Sequence, residues 1–315
     1  MKGLIIKSTG SFYDILGDDG QTYKGRARGK LRLKGFRTTN PIAVGDRVEF
    51  SLKDDGTAVI EKILPRQNAL LRRATNLSKK YHLLASNIDQ VFVLYTPHTP
   101  ETLLSFLDRV LVSAEAYGIP PVLLINKMDL YEKDPEAMAK IEAFKRIYAP
   151  TEYPVLEVSA RTGYNLDKLR AMMKDKISAF AGNSGTGKSS LVNALIPGLN
   201  LKTGDVSEVH RQGRHTTTFA QLHRLPEGGY IIDTPGIRAF GTIDIEPREL
   251  DNYFPELRRY KPECKFNDCY HVNEPSCGVK EHLHTGDIAP ERYRSYLDIL
   301  DELKNPDGPY RLKKY

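Results

Sequence analysis

The sequence has few of the residues that secreted and membrane proteins depend on. Among its 315 residues there are only three cysteines and no tryptophan. So small and odd a number of cysteines does not suit a disulfide scaffold and favours a metal site. The longest apolar run, residues 119–125, contains two prolines and is too short to cross a bilayer. Residues 4–6 are too few for the apolar part of a signal peptide, and Lys7 follows them. We therefore expect a soluble, cytoplasmic protein that does not bind a membrane.

Length and charge suggest several domains and a polyanionic partner. A chain of 315 residues is long for one domain. Changes of pattern along it predict domains at residues 1–72, 73–241 and 242–315. The 46 basic and 40 acidic residues leave a net charge of +6, which favours a partner such as a nucleic acid without proving one. We expect the protein to be a monomer.

Short runs of alternating apolar and polar residues fill the first 65 residues. Turn residues separate these runs, which cover residues 4–8, 12–16, 21–28, 47–51 and 58–63. Strands of this length and spacing predict a small β-barrel. By analogy, we expect this barrel to resemble the OB fold, which is the small barrel most often associated with nucleic-acid binding.

A run of basic residues at every second position lies within this region. It consists of Lys24, Arg26, Arg28, Lys30, Arg32 and Lys34, and residues 24–37 contain no acid. Because the side chains of a strand alternate between its faces, an extended chain here would present one basic face. Such a face can neutralise several phosphates, and we interpret it as an RNA-binding surface. The alternative is an edge strand that its charges keep soluble.

From about residue 86, strands alternate with amphipathic helices, which is the pattern of a βαβ domain. The predicted strands cover residues 91–95, 122–125, 155–158, 177–180 and 230–232, and one helix is predicted to begin with residues 188–195. Another helix is predicted to open at Thr99-Pro100-Glu101, with the proline in its first turn. Its buried face would consist of Leu103, Leu107, Val110, Leu111 and Ala114.

A phosphate-binding loop follows the strand predicted at residues 177–180. The pattern G-x-x-x-x-G-K-[ST] is formed by Gly182, Asn183, Ser184, Gly185, Thr186, Gly187, Lys188 and Ser189. The glycines allow backbone N–H groups to approach a phosphate, and a helix N-terminus faces the same anion. Lys188 would supply positive charge to the β- and γ-phosphates and is a catalytic candidate, while the hydroxyl of Ser189 would bind Mg²⁺. The adjacent Ser190 completes the predicted GTP-binding loop.

An N-K-x-D motif that suits guanine follows the strand predicted at residues 122–125. It is formed by Asn126, Lys127, Met128 and Asp129. Asp129 can accept both N–H groups on the edge of guanine, whereas adenine would leave this carboxylate unpaired. Asn126 would brace the loop, and Lys127 would cover the base.

Two other motifs complete the guanine-nucleotide set. The backbone N–H groups of Ser159 and Ala160 would donate to the guanine oxygen. In the motif D-T-P-G, Asp233 would hold Mg²⁺ through water, and the N–H group of Gly236 would contact the γ-phosphate. Ordinary GTPases have the phosphate loop first and N-K-x-D late, but here N-K-x-D comes first. The motifs are therefore present in a rotated order, and D-T-P-G leads directly into the region that follows.

The three cysteines lie close to a histidine in the C-terminal part of the chain. The candidate ligands are Cys264, Cys269, His271 and Cys277. Three thiolates and one imidazole satisfy tetrahedral Zn²⁺, and a closed set of this kind is structural rather than catalytic. His282 and His284 are alternative ligands with less suitable spacing. Helical segments predicted at residues 249–260 and 290–303 are too small to form much core alone, so one zinc ion would contribute folding energy.

Taken together, these motifs resemble the RsgA family of circularly permuted bacterial GTPases, also called YjeQ or YloQ. The resemblance covers almost the whole chain and includes residues 44–50, residues 213–218 and the cysteine cluster. It implies an OB-fold domain, a permuted P-loop GTPase domain of α/β class, and a helical C-terminal zinc domain. It also implies that the small ribosomal subunit stimulates GTP hydrolysis and that the protein acts late in the maturation of that subunit. Asn183 and Thr186 stand where glutamine and valine are commoner in the family, at variable positions.

The resemblance does not identify the residue that orients the attacking water. Ile237 follows D-T-P-G, where many GTPases have a glutamine for this purpose. An isoleucine cannot orient water, and we take His215 as the candidate, with a role in shaping the switch or touching RNA as the alternative. The family pattern selects Thr217 as a second Mg²⁺ ligand, with Thr216 and Thr218 as close rivals.

The sequence thus predicts a three-domain, zinc-containing and Mg²⁺-dependent GTPase that converts GTP to GDP and phosphate. Its barrel and zinc domain would bind the RNA of the small ribosomal subunit. Two alternatives stay open. One is a permuted GTPase of large-subunit assembly, and the other is a non-catalytic RNA-binding switch in which the nucleotide only sets the conformation.

Overall fold

Five strands with alternating buried and exposed side chains form the first region. The computed structural model describes residues 1–29, 41–73, 81–201, 220–233 and 245–305. The strands are β1 (Lys2–Ser8), β2 (Tyr13–Gly17), β3 (Thr22–Ala27), β4 (Arg47–Leu52) and β5 (Ala58–Ile63). Their bounds differ by at most two residues from those that the alternation predicts.

These strands close into a barrel. Their hydrogen-bonded order is β1-β2-β3-β5-β4, and β4 pairs again with β1 in an antiparallel register that places Gly3 opposite Val48. Strands β3 and β5 are parallel, whereas the other neighbours are antiparallel. The interior is apolar and includes Ile5, Ile15, Phe50 and Ile60, all of which are buried. The prediction of a small OB-like barrel is confirmed.

An antiparallel hairpin connects the barrel to the next region and consists of β6 (Ala69–Arg73) and β7 (Tyr81–Ser86). The segment before β4 approaches β7 so closely at Gly45 that a Cβ there would lie 2.0 Å from the carbonyl oxygen of Ser86. The φ angle of Gly45 is +92°, which L side chains rarely adopt. The adjacent Asp46 is fully buried and accepts hydrogen bonds from the hydroxyl of Ser86 and from the guanidinium of Arg66. Position 45 therefore requires glycine.

Strands and helices alternate in the region that follows, as predicted. The strands are β8 (Gln90–Tyr95), β9 (Pro121–Ile125), β10 (Val155–Glu157), β11 (Ile177–Ala181), β12 (Gln221–Arg224) and β13 (Tyr230–Asp233). The helices are α1 (Leu104–Ala116), α2 (Met128–Tyr131), α3 (Pro135–Tyr148), α4 (Leu166–Met173) and α5 (Lys188–Leu195). Helix α5 begins at the predicted residue, Lys188.

The strands of this region form one sheet in the order β10-β9-β8-β11-β13-β12. The first five are parallel, and β12 runs antiparallel to β13. Along β8, Val91 and Val93 face one apolar cluster under α1 and α3, while Phe92 and Leu94 face another under α4 and α5. Because helices cover both faces, the central strands are buried throughout. At its other edge, β12 pairs with β1 of the barrel, so the two sheets are continuous.

The first helix of this region begins later than predicted. It starts at Leu104 rather than at Pro100, and Leu103 is 58% exposed instead of belonging to the buried face. The other predicted members of that face are buried, namely Leu107, Val110, Leu111 and Ala114. The delay has a local cause, because Thr96 and Thr102 close the preceding segment with a main-chain hydrogen bond of 2.9 Å and with hydroxyls 3.1 Å apart.

The last described region is helical. It consists of a 3-10 helix (Pro247–Tyr253), α6 (Pro255–Tyr260), a short 3-10 helix (Lys261–Glu263), α7 (Gly278–Thr285) and α8 (Pro290–Lys304). The single helix predicted at residues 249–260 is divided because Phe254, which precedes Pro255, is extended. The apolar core of this region includes Val112 of α1, so these helices complete their core against the preceding sheet domain. No helix within the described ranges is long and apolar enough to span a membrane.

Candidate nucleotide site and metal centre

Polar loops meet at one edge of the sheet. Strands β8 to β11 are parallel neighbours, so their carboxyl ends lie along the same edge. Asn126 follows β9, Ser159 follows β10 after one intervening residue, and Gly182 follows β11. Open α/β sheets bind ligands at this edge, and the predicted motifs are therefore brought together there.

The loop after β11 has backbone conformations that favour glycine. The φ angle is +154° at Gly182, +78° at Gly185 and +95° at Gly187. At Gly187 the space is also closed, because a Cβ would lie 2.4 Å from Nδ2 of Asn126. Helix α5 begins at the next residue, so the loop and the helix N-terminus together form a cradle suited to phosphate.

The ammonium group of Lys188 lies against this loop. Its Nζ donates to the carbonyl oxygen of Gly182 at 2.7 Å and to that of Asn183 at 2.6 Å. Thr186 is fully buried, and its hydroxyl donates to the same Asn183 oxygen at 2.9 Å. These bonds hold a positive charge beside the glycine-rich backbone.

Asn126 joins the N-K-x-D loop to the phosphate loop. Its side chain is buried, and Nδ2 donates to the carbonyl oxygen of Thr186 at 2.8 Å, across 60 positions of sequence. Its Oδ1 is also buried and has no hydrogen-bond partner within the described ranges. One amide therefore fixes the two loops together and keeps an acceptor for a further donor.

The loop after β10 orients the carboxylate of Asp129. Its Oδ1 accepts from the hydroxyl of Ser159 at 2.6 Å, and its Oδ2 lies 4.0 Å from the guanidinium of Arg161. Ser159 is fully buried, and its Oγ accepts from the N–H group of Thr162 at 3.2 Å. Since an ionised carboxylate has about four acceptor positions, the direction of Asp129 is fixed while most of its acceptor capacity remains.

Lys127 is the N-cap residue of α2 and has a left-handed backbone conformation, with φ 68° and ψ 35°. Its Nζ donates to the carbonyl oxygen of Thr99 at 2.6 Å. Burial lowers the pKa of this ammonium group, and the nearby carboxylate of Asp129 opposes that shift. The half-buried lysine is thus held in one orientation beside Asp129.

Three thiols and one imidazole meet in the C-terminal region. The ligand atoms of Cys264, Cys269, His271 and Cys277 all lie within 4.8 Å of one another. Nδ1 of His271 is 3.5 Å from the sulfur of Cys264 and 3.4 Å from that of Cys277. Burial raises the pKa of the Cys269 thiol to about 12, and a bound cation would oppose this shift. This donor set fits a metal ion, and the four predicted ligands form one cluster that could hold it.

A carboxylate outside the sequence motifs orients the histidine of this metal site. Nε2 of His271 contacts Oδ2 of Asp251 at 3.1 Å, and Nζ of Lys261 reaches the same oxygen at 2.8 Å. A carboxylate at Nε2 favours the tautomer that leaves Nδ1 free to bind a metal. The alternative ligand His282 instead contacts Asp287 and Glu263. Asp251 precedes the histidine by 20 positions, and no short spacing rule could have identified it.

Comparison with known proteins assigns the chain to a family. A family model described as RsgA GTPase matches residues 63–243, and one described as RsgA N-terminal domain matches residues 2–60. The chain belongs to the RsgA GTPase family. This confirms the resemblance drawn from the motifs and the prediction of a GTP-hydrolysing enzyme.

Individual RsgA relatives match the chain over almost its whole length. The small ribosomal subunit biogenesis GTPase RsgA of Bacteroides fragilis is 45% identical over 311 residues, which are 99% of each chain. Its namesake in Flavobacterium johnsoniae is 47% identical over 304 residues, which are 96% of this chain and 93% of that one.

Two solved structures share the fold of this RsgA-family chain. YjeQ from Thermotoga maritima is 38% identical, has a TM-score of 0.79 and is matched over 96% of this chain and 98% of that chain. YloQ, described as a circularly permuted GTPase, is 30% identical with a TM-score of 0.77, over 98% and 96% of the two chains. The rotated order of the motifs therefore agrees with the circularly permuted fold described for YloQ.

Several residues of the RsgA-like motifs lie at the margin of the described ranges or beyond it. Asp233 ends β13, the neighbour of β11, and Ser189 and Ser190 lie in the first turn of α5. Outside the described residues are His215, Thr216, Thr217, Thr218, Gly236 and Ile237, together with Lys30, Arg32 and Lys34. Their roles stay predictions.

The described part of the basic run is exposed on the barrel. Lys24, Arg26 and Arg28 alternate with less exposed neighbours. The guanidinium of Arg26 lies 4.3 Å from the ring centroid of the exposed Phe12. Asp14 on β2 stands opposite Lys24, so an acid from the neighbouring strand reduces the positive charge of this face. The run of basic residues alone does not reveal that acid.

Proposed function

We propose that this protein hydrolyses GTP to GDP and phosphate during late maturation of the small ribosomal subunit. One observation carries the proposal, namely the 2.8 Å hydrogen bond from Asn126 to the carbonyl oxygen of Thr186. It unites the N-K-x-D loop with the phosphate loop although the chain has them in rotated order. The relatives described above are named as biogenesis GTPases of the small subunit, which supports the same process for this chain.

In this proposal, Asp129 recognises guanine. Guanine presents two N–H donors on the edge where adenine lacks such a pair, and a carboxylate offers only acceptors. The hydroxyl of Ser159 sets the direction of that carboxylate. Adenine would leave it without donors from the base in a site where only 12% of the Asp129 side chain is exposed, which would weaken binding. The remaining residues assigned to the base are Asn126, Lys127, Met128 and Ala160.

The phosphates are assigned to the glycine-rich loop. Its backbone N–H groups, from residue 182 to residue 190, would donate to the phosphate oxygens, and Lys188 would balance their charge. Ser189, Thr217 and Asp233 would hold Mg²⁺, which neutralises the charge that develops on the β- and γ-phosphates. Gly236 would contact the γ-phosphate. His215 is the candidate that orients water, because Ile237 has no polar group for this purpose.

The metal site is assigned to one structural zinc ion. The sulfurs of Cys264 and Cys277 are 3.9 Å apart, close to the roughly 3.8 Å expected for two thiolates on tetrahedral zinc. Thiolate and imidazole ligands favour zinc over magnesium or calcium. Four protein ligands fill the coordination sphere, so this ion would stabilise the domain and not activate a substrate.

RNA binding is assigned to the basic run on the barrel and to the zinc domain. Lys24, Arg26 and Arg28 are exposed and can reach phosphates, and Lys30, Arg32 and Lys34 continue the run. The proposed domains are residues 1–72, 73–241 and 242–315, and the protein would act as a monomer in the cytoplasm.

The turnover of GTP with purified small subunits, with large subunits and with neither tests the proposal. We expect strong stimulation by small subunits alone. Lys188→Ala should lower turnover by about a hundredfold or more, since a charge at the phosphates is lost, while Lys168→Ala removes an exposed lysine of α4 and is the matched control. Stimulation by large subunits instead would favour a role in their assembly. Absence of repeated turnover in every mixture would favour the non-catalytic RNA-binding switch.

A further inference from the structure

The segment between β8 and α1 contacts both halves of the nucleotide site, although it contains none of the GTPase motifs. It covers residues 96–102, and we call it the bridging segment. The carbonyl oxygen of Thr99 accepts the hydrogen bond from Nζ of Lys127 at 2.6 Å. Cδ of Pro100 lies 3.2 Å from the position that a Cβ on Gly185 would occupy. The N-K-x-D loop and the phosphate loop therefore both adjoin this segment.

Two buried threonines fix the shape of the bridging segment. Thr96 and Thr102 are 0% and 3% exposed. The hydroxyl of Thr96 donates to the carbonyl oxygen of Pro100 at 2.6 Å, and the hydroxyl of Thr102 accepts from the N–H group of Thr96 at 3.1 Å. With the main-chain bond from Thr102 to Thr96, the segment forms a closed loop, and its carbonyl groups point in defined directions.

Side chains from α2 and from the start of α3 hold the loop next to Thr99. The hydroxyl of Tyr131, a fully buried residue, donates to the carbonyl oxygen of His98 at 2.6 Å. The ring of His98 contacts Oδ2 of Asp134 at 3.0 Å and the hydroxyl of Thr99 at 2.9 Å. Asp134 also caps α3 by accepting backbone N–H groups through its other oxygen. The peptide between His98 and Thr99, which directly precedes the one that carries the Thr99 carbonyl, is thus held by the residues that follow the N-K-x-D motif.

We propose that the bridging segment positions Lys127 over the guanine base, and that Tyr131 is a positioning residue for this interaction. The inference rests on the role proposed above for Lys127. A lysine side chain is flexible, and ordering it on binding costs conformational entropy. The Thr99 carbonyl orders it beforehand. Without the Tyr131 hydroxyl, the peptide between His98 and Thr99 would lose its support, and the adjacent Thr99 carbonyl would no longer be fixed as the partner of Lys127.

This role has a kinetic signature that a merely structural connection lacks. Lys127 serves the base, whereas Lys188 serves the phosphates, so misplacing Lys127 should weaken the binding of ground state and transition state alike. Such a change raises KM and leaves kcat unaltered. A general loss of structure would instead lower both the stability and the active fraction.

The first test compares Tyr131→Phe with Tyr117→Phe. Tyr117 also donates its hydroxyl to a main-chain carbonyl, that of Leu71 at 2.8 Å, and serves as the matched control away from the nucleotide. Affinity for GDP and GTP would be measured by displacement of a fluorescent GDP analogue. We expect Tyr131→Phe to weaken both by about threefold to tenfold, with kcat within about twofold of the unaltered protein. Tyr117→Phe should leave affinity unchanged. Equal affinities for the two variants would overturn the proposal.

A second test asks whether Tyr131 acts through Lys127. In a Lys127→Ala background, Tyr131→Phe should have no further effect on GDP affinity, because residues that act together are not additive. Thr96→Val, which removes the hydroxyl that holds Pro100, should behave in the same way. Fully additive effects would contradict the positioning role while leaving the role of Lys127 intact. An unchanged affinity in Lys127→Ala itself would instead refute the role of Lys127 in binding guanine, and this inference with it.

Discussion

The barrel joins the α/β sheet and the β6-β7 hairpin through backbone hydrogen bonds and one close glycine contact. The metal-binding region, residues 245–305, instead joins the α/β domain through buried charges beside a shared apolar core. On the barrel side, β1 pairs with β12 at Lys7 and Gln221, and Val44 forms an isolated parallel bridge to Ala85. Gly45 then allows the backbone to touch β7. These contacts depend on the shape of the main chain.

On the metal-binding side, the central contact is a buried arginine. Arg292 is 1% exposed and donates to Asp108 of α1 at 2.6 Å and to Glu256 at 2.6 and 3.2 Å. Oδ2 of Asp108 has no partner within the described ranges. A second pair, Arg109 with Glu302, makes two bonds of 2.7 Å. The free-energy cost of desolvating these charges is recovered only while every partner is present.

The two attachments should therefore fail for different reasons. A contact between backbones is broken when an added atom forces the chains apart, and exchanging surface charges does not affect it. A buried ion network is broken when one member is removed, because the charges left behind stay desolvated. The following changes separate these cases, from the largest expected effect to the smallest.

Cys277→Ser should unfold the metal-binding region and leave the barrel folded. Loss of one ligand removes a metal whose binding energy is part of the folding energy. Elemental analysis should find about one zinc ion per chain before the change and far less after it. Limited proteolysis should then cut within residues 245–305 before it cuts the barrel. Asp268→Asn, at an exposed position of the same loop, should retain the metal; if Cys277→Ser also retains it, the assigned ligand set is wrong.

Arg292→Met should lower the free energy of unfolding by about 3–5 kcal/mol, because Asp108 and Glu256 stay buried without their cation. Urea denaturation measures this change. The matched control is Arg259→Met, whose partner Glu152 is 76% exposed, and its effect should stay below about 1 kcal/mol. Similar values for the two variants would show that the buried network is not what fastens this region.

Gly45→Ala should lower the free energy of unfolding by about 2–3 kcal/mol, the upper range for a strained residue. A methyl group there meets the Ser86 carbonyl oxygen at 2.0 Å. In Gly10→Ala the φ angle is nearly the same, +88°, but nothing lies within 4 Å, so only about 1 kcal/mol is expected. The difference in denaturation midpoint between the two variants measures the effect of the close contact. Equal midpoints would show that this contact does not help to hold the barrel against β7.

Replacing Lys24, Arg26 and Arg28 together with glutamine should alter stability by no more than about 0.5 kcal/mol. Binding to small subunits should weaken, and the slope of log affinity against log salt should fall by about 2–3, because that many phosphate contacts are lost. Lys133, Lys168 and Lys174 are exposed on the α/β region, and their joint replacement is the control. An unchanged slope would identify the basic run as a solubilising edge of the barrel.

The parts of the molecule that the sequence predicted are those encoded by neighbouring residues. The phosphate loop and the start of α5 follow from one short motif, and the four candidate metal ligands lie between residues 264 and 277. The alternation of residues also predicts the barrel strands, because a strand can be recognised from the two-residue period of its own apolar side chains.

The parts that were not predicted depend on residues far apart in the chain. Asp108 and Arg292 are 184 positions apart, and Asp251 reaches His271 from the helix before the cluster. The predicted start of α1 at Pro100 was wrong because the hydrogen bonds of Thr96 and Thr102 outweigh the preference of proline for a first turn. A periodic pattern in the sequence does not indicate contacts between residues so far apart. The assigned roles of His215 and Thr217 stay predictions.

The sheet order determines when a growing chain can first hold a nucleotide. Strand β11, which leads into the phosphate loop, enters between β8 and β13, and β8, β9 and β10 all precede it in the chain. Chains fold progressively from the N-terminus during synthesis. The half of the sheet that carries the N-K-x-D loop is therefore made while the edge of β8 is still open and no phosphate loop exists. Because a ligand stabilises only the state that binds it, GTP can assist the last steps of folding but not the first.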